Sequence, residues 1–186
     1  MTHRRLTARA LCACALAAFA LAACDKAKPR HLPPDPFAAP PPALVDGPAP
    51  TAPGQALSPG LSKRPEIPAF TLDHAGAAPD PLNRQPAETP AGKPTVFDGF
   101  GFDGLAKAPA KGVDVVIDAK PYGATYGGKR KDVADHFNDP ALAAVGFTVT
   151  LPAAALASGP HTAVVRVITA DGKGYYESPP IAFAVK

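Results

Sequence analysis

Gly146-Phe147-Thr148-Val149-Thr150-Leu151-Pro152 alternates apolar and hydroxyl side chains. A period of two predicts a strand with Phe147, Val149 and Leu151 on a dry face and the threonines on a wet one. The same reading extends outward. Val113-Asp114-Val115-Val116-Ile117-Asp118, bracketed by Gly112 and Lys120-Pro121, reads as a strand. His161 to Ala170 reads as an inner strand with Arg166 directed outward, and Asp171-Gly172 as its turn. Tyr175-Tyr176-Glu177 and Ile181 to Val185 form a final pair separated by Ser178-Pro179-Pro180. Upstream, Asp98-Gly99-Phe100-Gly101-Phe102-Asp103-Gly104 reads as a strand-turn-strand corner in which glycine permits the bend and aspartate caps it. Ile67 to Asp73 is a weaker strand signal. About seven short strands result, without strand-helix alternation, so the class is an all-β sandwich. One interruption is a helical turn in which Asp132 caps a run holding Val133 and Phe137 four apart. A second has Asp139 as cap, Pro140 as first residue, Leu142 facing inward and Gly146 closing it.

The N-terminus carries a different signal. A basic start, Met1-Thr2-His3-Arg4-Arg5, precedes fourteen apolar residues from Ala10 to Ala23, and small residues stand just before Cys24. A helical span of a ~30 Å bilayer core takes ~20 apolar residues, so this segment is short for a permanent anchor. Leu21-Ala22-Ala23-Cys24 resembles the lipobox of bacterial lipoprotein signals. That resemblance implies removal of residues 1–23, acylation of Cys24, and a membrane held through the N-terminal lipid in the bacterial cell envelope. Asp25 followed by Lys26 leaves inner and outer membrane both open.

Removal of that signal takes away Arg4, Arg5 and Arg9, so 19 basic residues become sixteen against 16 acidic ones. The formal charge of +3 therefore belongs to the signal, and no nucleic-acid partner follows from it. Cys12 and Cys14 leave as well, which excludes disulfides, cysteine nucleophiles and zinc thiolates from the remaining chain. From Asp25 to Glu66 there are twelve prolines in forty-two residues. Such a stretch has too little apolar bulk to offset its ordering entropy, and residues 24–66 read as the lipidated N-terminus and a disordered Pro/Ala-rich linker or stalk.

The folded part is expected over 67–186, with its best-supported portion at 94–186. Val113 to Asp118, Tyr122-Gly123-Ala124-Thr125-Tyr126-Gly127, Arg130 to Ala134 with Phe137, Gly146-Phe147, and Gly159-Pro160-His161-Thr162 together resemble an immunoglobulin-like domain that recurs in bacterial envelope and membrane proteins. Phe97 to Asp103 fits its entry strand, with phenylalanine where the family often has tryptophan. The resemblance implies an immunoglobulin-like β-sandwich and leaves the biochemical role undefined.

Catalytic patterns are missing from the sequence. No Gly-x-Ser-x-Gly or His-Glu-x-x-His occurs, and Glu66, Glu88 and Glu177 are the only glutamates. Neither an enzyme, a cofactor nor a resident metal is expected. Asp98 and Asp103 offer oxygen ligands of the kind calcium prefers, though the corner explains them as well. Tyrosine joins an apolar face to a polar tip, so Tyr122, Tyr126, Tyr175 and Tyr176, with Arg130, form the candidate binding surface. The expected function is a lipid-anchored, non-enzymatic module that contacts another envelope protein; the alternative is a carbohydrate-binding module for cell-wall or surface glycan.

Overall fold

Phe147, Val149 and Leu151 are buried and Thr148 and Thr150 are half-buried, as the alternation of Gly146–Leu151 requires. The structure, a computed structural model, describes residues 53–186; the signal at 1–23, Cys24 and the linker as far as residue 52 lie outside the described residues. Thirteen strands occur among them, where the sequence suggested about seven. They are β1 (Ser62–Lys63), β2 (Ala69–Ala75), β3 (Ala78–Pro79), β4 (Ala87–Thr89), β5 (Thr95–Asp103), β6 (Ala108–Pro109), β7 (Gly112–Ile117), β8 (Lys120–Gly123), β9 (Thr125–Gly128), β10 (Gly146–Leu151), β11 (Gly159–Ile168), β12 (Gly174–Glu177) and β13 (Ile181–Val185). A single α-helix, α1 (Lys131–Phe137), and two 3₁₀ turns, Pro140–Ala144 and Ala153–Ala155, complete the elements.

The strands form two sheets. In the first, β11 lies centrally: β7 runs along one side and carries β8, while β13 and β12 share the other side. Strand β1 joins β12 and β4 joins β13, both in parallel. The second sheet runs β3-β2-β5-β10-β9, with β6 also on β5. All its pairings are antiparallel. One core lies between them, built from Val113, Val115, Ile117, Val165 and Val167 of the first sheet against Leu72, Phe97, Phe147, Val149 and Leu151 of the second. Phe97 and Phe183 meet edge to face across it at 5.4 Å. A smaller cluster of Phe102, Val133, Leu142 and Val145 joins α1 and the Pro140–Ala144 turn to β5.

Three local expectations are corrected. Asp98 to Asp103 is a continuous part of β5 and not a corner. Gly99 stands there because a Cβ would come within 2.2 Å of the Thr71 carbonyl oxygen, so the residue serves close strand approach instead of a bend. Arg130, not Asp132, occupies the N-cap of α1; it makes no side-chain cap bond, and Asp132 sits in the first turn. Asn138 in the left-handed region, at φ 50°, ends that helix. The second turn begins as its sequence indicates, with the Asp139 side chain accepting from the Ala141 amide, Pro140 leading and Leu142 buried, but Val145 and not Gly146 closes it, because Gly146 is already the first residue of β10.

The largest correction concerns where the fold begins. Residues 54–66 belong to the expected linker, yet the chain from 54 to 64 lies on the first sheet. Gly54 pairs with Gly123, Ser58 is buried, and β1 adds to β12. Asp114, fully buried on β7, accepts the Leu57 amide at 2.9 and 3.0 Å and the Ser58 amide at 2.6 Å. Gly123 leaves room for this strap, since a Cβ there would stand 2.3 Å from the Gln55 carbonyl oxygen. Ile67 to Asp73 likewise belongs to the fold, with β2 paired to β5. Proline content argued against packing, but three bonds to one carboxylate and a run of backbone bonds hold the strap regardless.

Phe147 is buried in the central core. Phe147→Ala should therefore lower unfolding free energy by about 3–5 kcal/mol in urea titration. A loss under ~1 kcal/mol would contradict its placement.

Candidate functional site

The five surface residues named from sequence do not assemble into one surface. Tyr126 on β9 donates its hydroxyl to the Gly101 carbonyl at 2.8 Å and accepts the Ala110 amide at 3.0 Å. Burial pushes its phenol up to about 12, against the Ala110 bond that lowers it. It is an internal brace. Tyr176 is buried on β12 and donates to Asp103 at 3.0 Å. Burial, then the Asp103 carboxylate, pushes it up to about 12. Tyr175, its neighbour, points to the opposite face, where the Arg166 guanidinium lies 4.7 Å from the ring centre. Tyr122 is half-buried against the core, with the Lys120 ammonium 5.1 Å from its ring. Arg130 is largely covered, bonded to Asp73 at 2.7 Å and Asp132 at 2.7 Å, with its guanidinium 5.0 Å from the Phe100 ring. Burial works against its charge, yet the two carboxylates hold its proton more firmly than usual.

Asp98 and Asp103 are likewise kept apart. Five positions along an extended strand place them on opposite faces. Asp98 meets the His74 ring nitrogen at 3.0 Å, and burial raises its carboxyl despite that partner. Asp103 accepts the Ala106 and Ala170 amides and the Tyr176 hydroxyl. Burial opposes its charge, but these donors hold its carboxyl below the usual range. It caps the turn after β5 and ties that turn to the other sheet. Among the described residues, no cluster of three or more histidine, cysteine, aspartate or glutamate side chains is arranged to hold a metal.

The feature that sequence did not single out is apolar. Ile67 and Leu105 are each 67% exposed, and they flank a cleft of about 180 Å³ between Glu66–Ala69 and Gly104–Leu105, with Tyr176 in its lining. Ala69 lines the cleft and packs against the Phe102 cluster. The Phe102 ring meets Phe137 edge to face at 5.0 Å, and Phe137 is 47% exposed. Phe100 stacks beside Phe102 at 6.2 Å and carries Arg130 at its far side. One path of contacts therefore runs from Ile67 and Leu105 through Ala69 and Phe102 to Phe137. Three of the five sequence-named residues border it: Tyr176 lines the cleft, Tyr126 packs against the Phe102 cluster, and Arg130 lies at the Phe100 end. A cleft of this size takes one large aliphatic or aromatic side chain.

A polar latch lies elsewhere on the molecule. His161 presents one ring nitrogen to Asp118 at 2.6 Å and the other to the Ala157 carbonyl at 2.8 Å, and its ring stacks on Phe183 at 5.3 Å. Only an imidazolium donates from both nitrogens, so this geometry favours the charged form. Burial opposes that charge, but the Ala157 and Asp118 bonds outweigh it and raise the histidine above 6.5. Burial also opposes the Asp118 charge, and the His161 and Thr162 bonds hold its carboxyl below 3.8. No protein-family model, curated protein or solved structure matches this chain.

The latch gives a signed expectation. A histidine raised on folding stabilises fully below its unfolded value and loses that contribution as pH climbs through its folded value. The lowered Asp118 behaves oppositely, contributing above 3.8 and losing it as pH falls through its folded value. The stability advantage of wild type over His161→Gln should thus be largest between pH 3.8 and 6.5 and shrink above 6.5, read by urea unfolding across pH. An advantage that grew with alkalinity would refute the latch.

Proposed function

We propose that this chain is a lipid-anchored, non-enzymatic protein of the bacterial cell envelope, acylated at Cys24, whose immunoglobulin-like β-sandwich docks an apolar segment of another envelope protein. One observation supports the docking reading above the rest. Three of the four exposed large hydrophobic residues among those described, Ile67, Leu105 and Phe137, stand along a single contact path, whereas Leu57 alone lies off it on the strap. Scattered exposed apolar residues are ordinary, but three that are joined through one buried aromatic cluster, two of them flanking a cleft, support an interaction reading.

The carbohydrate alternative drew its stacking residues from the tyrosines. With the Tyr126 hydroxyl bonded to backbone, Tyr176 buried and Tyr175 covered by Arg166, those rings offer no shared platform. Protein docking is the reading the geometry favours. Two sheets stacked over one core are compatible with the immunoglobulin-like assignment, and the lipobox residues supply the anchoring half of the proposal.

Both halves are testable in membranes. Cys24→Ser should move the protein from the membrane to the soluble fraction; unchanged partition would remove the anchor. Chemical cross-linking in whole envelopes should give a discrete heteromeric adduct that Leu105→Asp abolishes and Tyr175→Ala, on the other sheet, leaves intact. An adduct lost with Tyr175→Ala and kept with Leu105→Asp would move the interface to the tyrosine face.

A further inference from the structure

The strap that covers the first sheet has its densest anchorage at one point. Its amides at Leu57 and Ser58 converge on Asp114, and the Arg166 guanidinium reaches the Ser58 hydroxyl at 3.3 Å. Beyond that, Gly54 exchanges two backbone bonds with Gly123, at 2.8 and 3.2 Å, and β1 contributes two paired residues, with the Arg64 amide donating to the Tyr175 carbonyl at 2.8 Å and Lys63 ion-paired with Glu177. Leu57 is 45% exposed, so its side chain adds limited burial. The surface below is differently secured. Strand β7 pairs along its length with β11 and also with β8, and neither pairing involves the strap. Lifting the strap would uncover a preformed groove: a carboxylate aimed outward, a guanidinium beside it, and a glycine at Gly123 that admits another backbone closely.

We propose that this groove is a peptide-accepting site, masked in cis by residues 54–58 of the same chain, and that the 54–58 segment of a second copy occupies it in trans. The complementarity is specific. Asp114 takes two consecutive backbone amides, Arg166 takes a small hydroxyl side chain, and Gly123 pairs with a residue that must itself sit close, here Gly54. Every copy carries that sequence, so exchange between copies conserves each contact and costs no new chemistry. The connection from β1 to β2, residues 64–68, holds Pro65 and Pro68 and favours an extended path. This inference does not rest on the apolar residues at the cleft, which lie between other elements.

A labelled peptide with the sequence of residues 53–63 is the probe, titrated against the full chain. Leu57→Pro deletes one amide donor and loosens the cis strap, and a masked site gains apparent affinity in proportion to the fraction unmasked. The peptide should bind Leu57→Pro at least about tenfold more tightly than wild type, and the added Asp114→Ala should abolish that gain. Equal binding to wild type and Leu57→Pro, or binding that survives Asp114→Ala, would overturn the proposal. Should Leu57→Pro fail to fold, hydrogen exchange on the wild-type chain decides. Amides of Leu57 and Ser58 are expected to exchange at least about a hundredfold faster than those of Val165 and Val167. Equal protection would show the strap inseparable from the sheet and overturn the masked-site reading.

Discussion

The buried carboxylate of Asp114 and the two amides that satisfy it are the interaction on which the path of the N-terminal strap over the first sheet depends. Every residue of β7 is buried, which means that both faces of the strand are covered. One face carries the valines and isoleucine of the core; the other carries Asp114, which no water reaches. An ionised group removed from water costs several kcal/mol unless donors replace its hydration. Leu57 and Ser58 are those donors, from more than fifty residues upstream. The chain must therefore fold back over the sheet, and a segment poor in apolar bulk becomes ordered by hydrogen bonding to a charge.

That strap also positions the candidate site. With Ser58 fixed on Asp114 and Ser62–Lys63 paired beside Gly174 and Tyr175, the chain has only residues 64–68 in which to cross to β2 in the other sheet. Ile67 is carried on this crossing, opposite Leu105 on the turn that Asp103 caps. Asp103 is itself tied to the first sheet through Tyr176 and the Ala170 amide. Both walls of the cleft thus hang on buried carboxylates, one directly and one through the strap. A rigid apolar notch results from polar chemistry.

Local patterns were legible where one face is dry and the other wet. The alternation in β10, the inner position of β11, the opposite directions of Tyr175 and Tyr176, and the Asp139-Pro140 start of the second turn all follow from neighbours in sequence. What sequence concealed depends on distant partners. Proline density made residues 54–66 read as linker because Asp114, which orders them, looks like one polar residue in an apolar strand. Glycines in Asp98 to Gly104 suggested a corner because the strand that crowds Gly99 lies well upstream at Thr71. Tyrosine chemistry by itself points to a binding surface, but backbone groups at Gly101 and Ala110 claim Tyr126, and Asp103 claims Tyr176. The apolar strip left no pattern, since Ile67, Leu105 and Phe137 come from three separate segments and stand out only once their exposure is known.

Asp114 is where this account is most exposed to test, because Asp114→Ala leaves the Leu57 and Ser58 amides without their acceptor. Equilibrium unfolding of that variant should show a loss of about 2–3 kcal/mol, together with new proteolytic sensitivity confined to residues 53–63. Unchanged stability and an intact, protease-resistant strap would mean that the buried carboxylate does not hold the N-terminal segment to the fold.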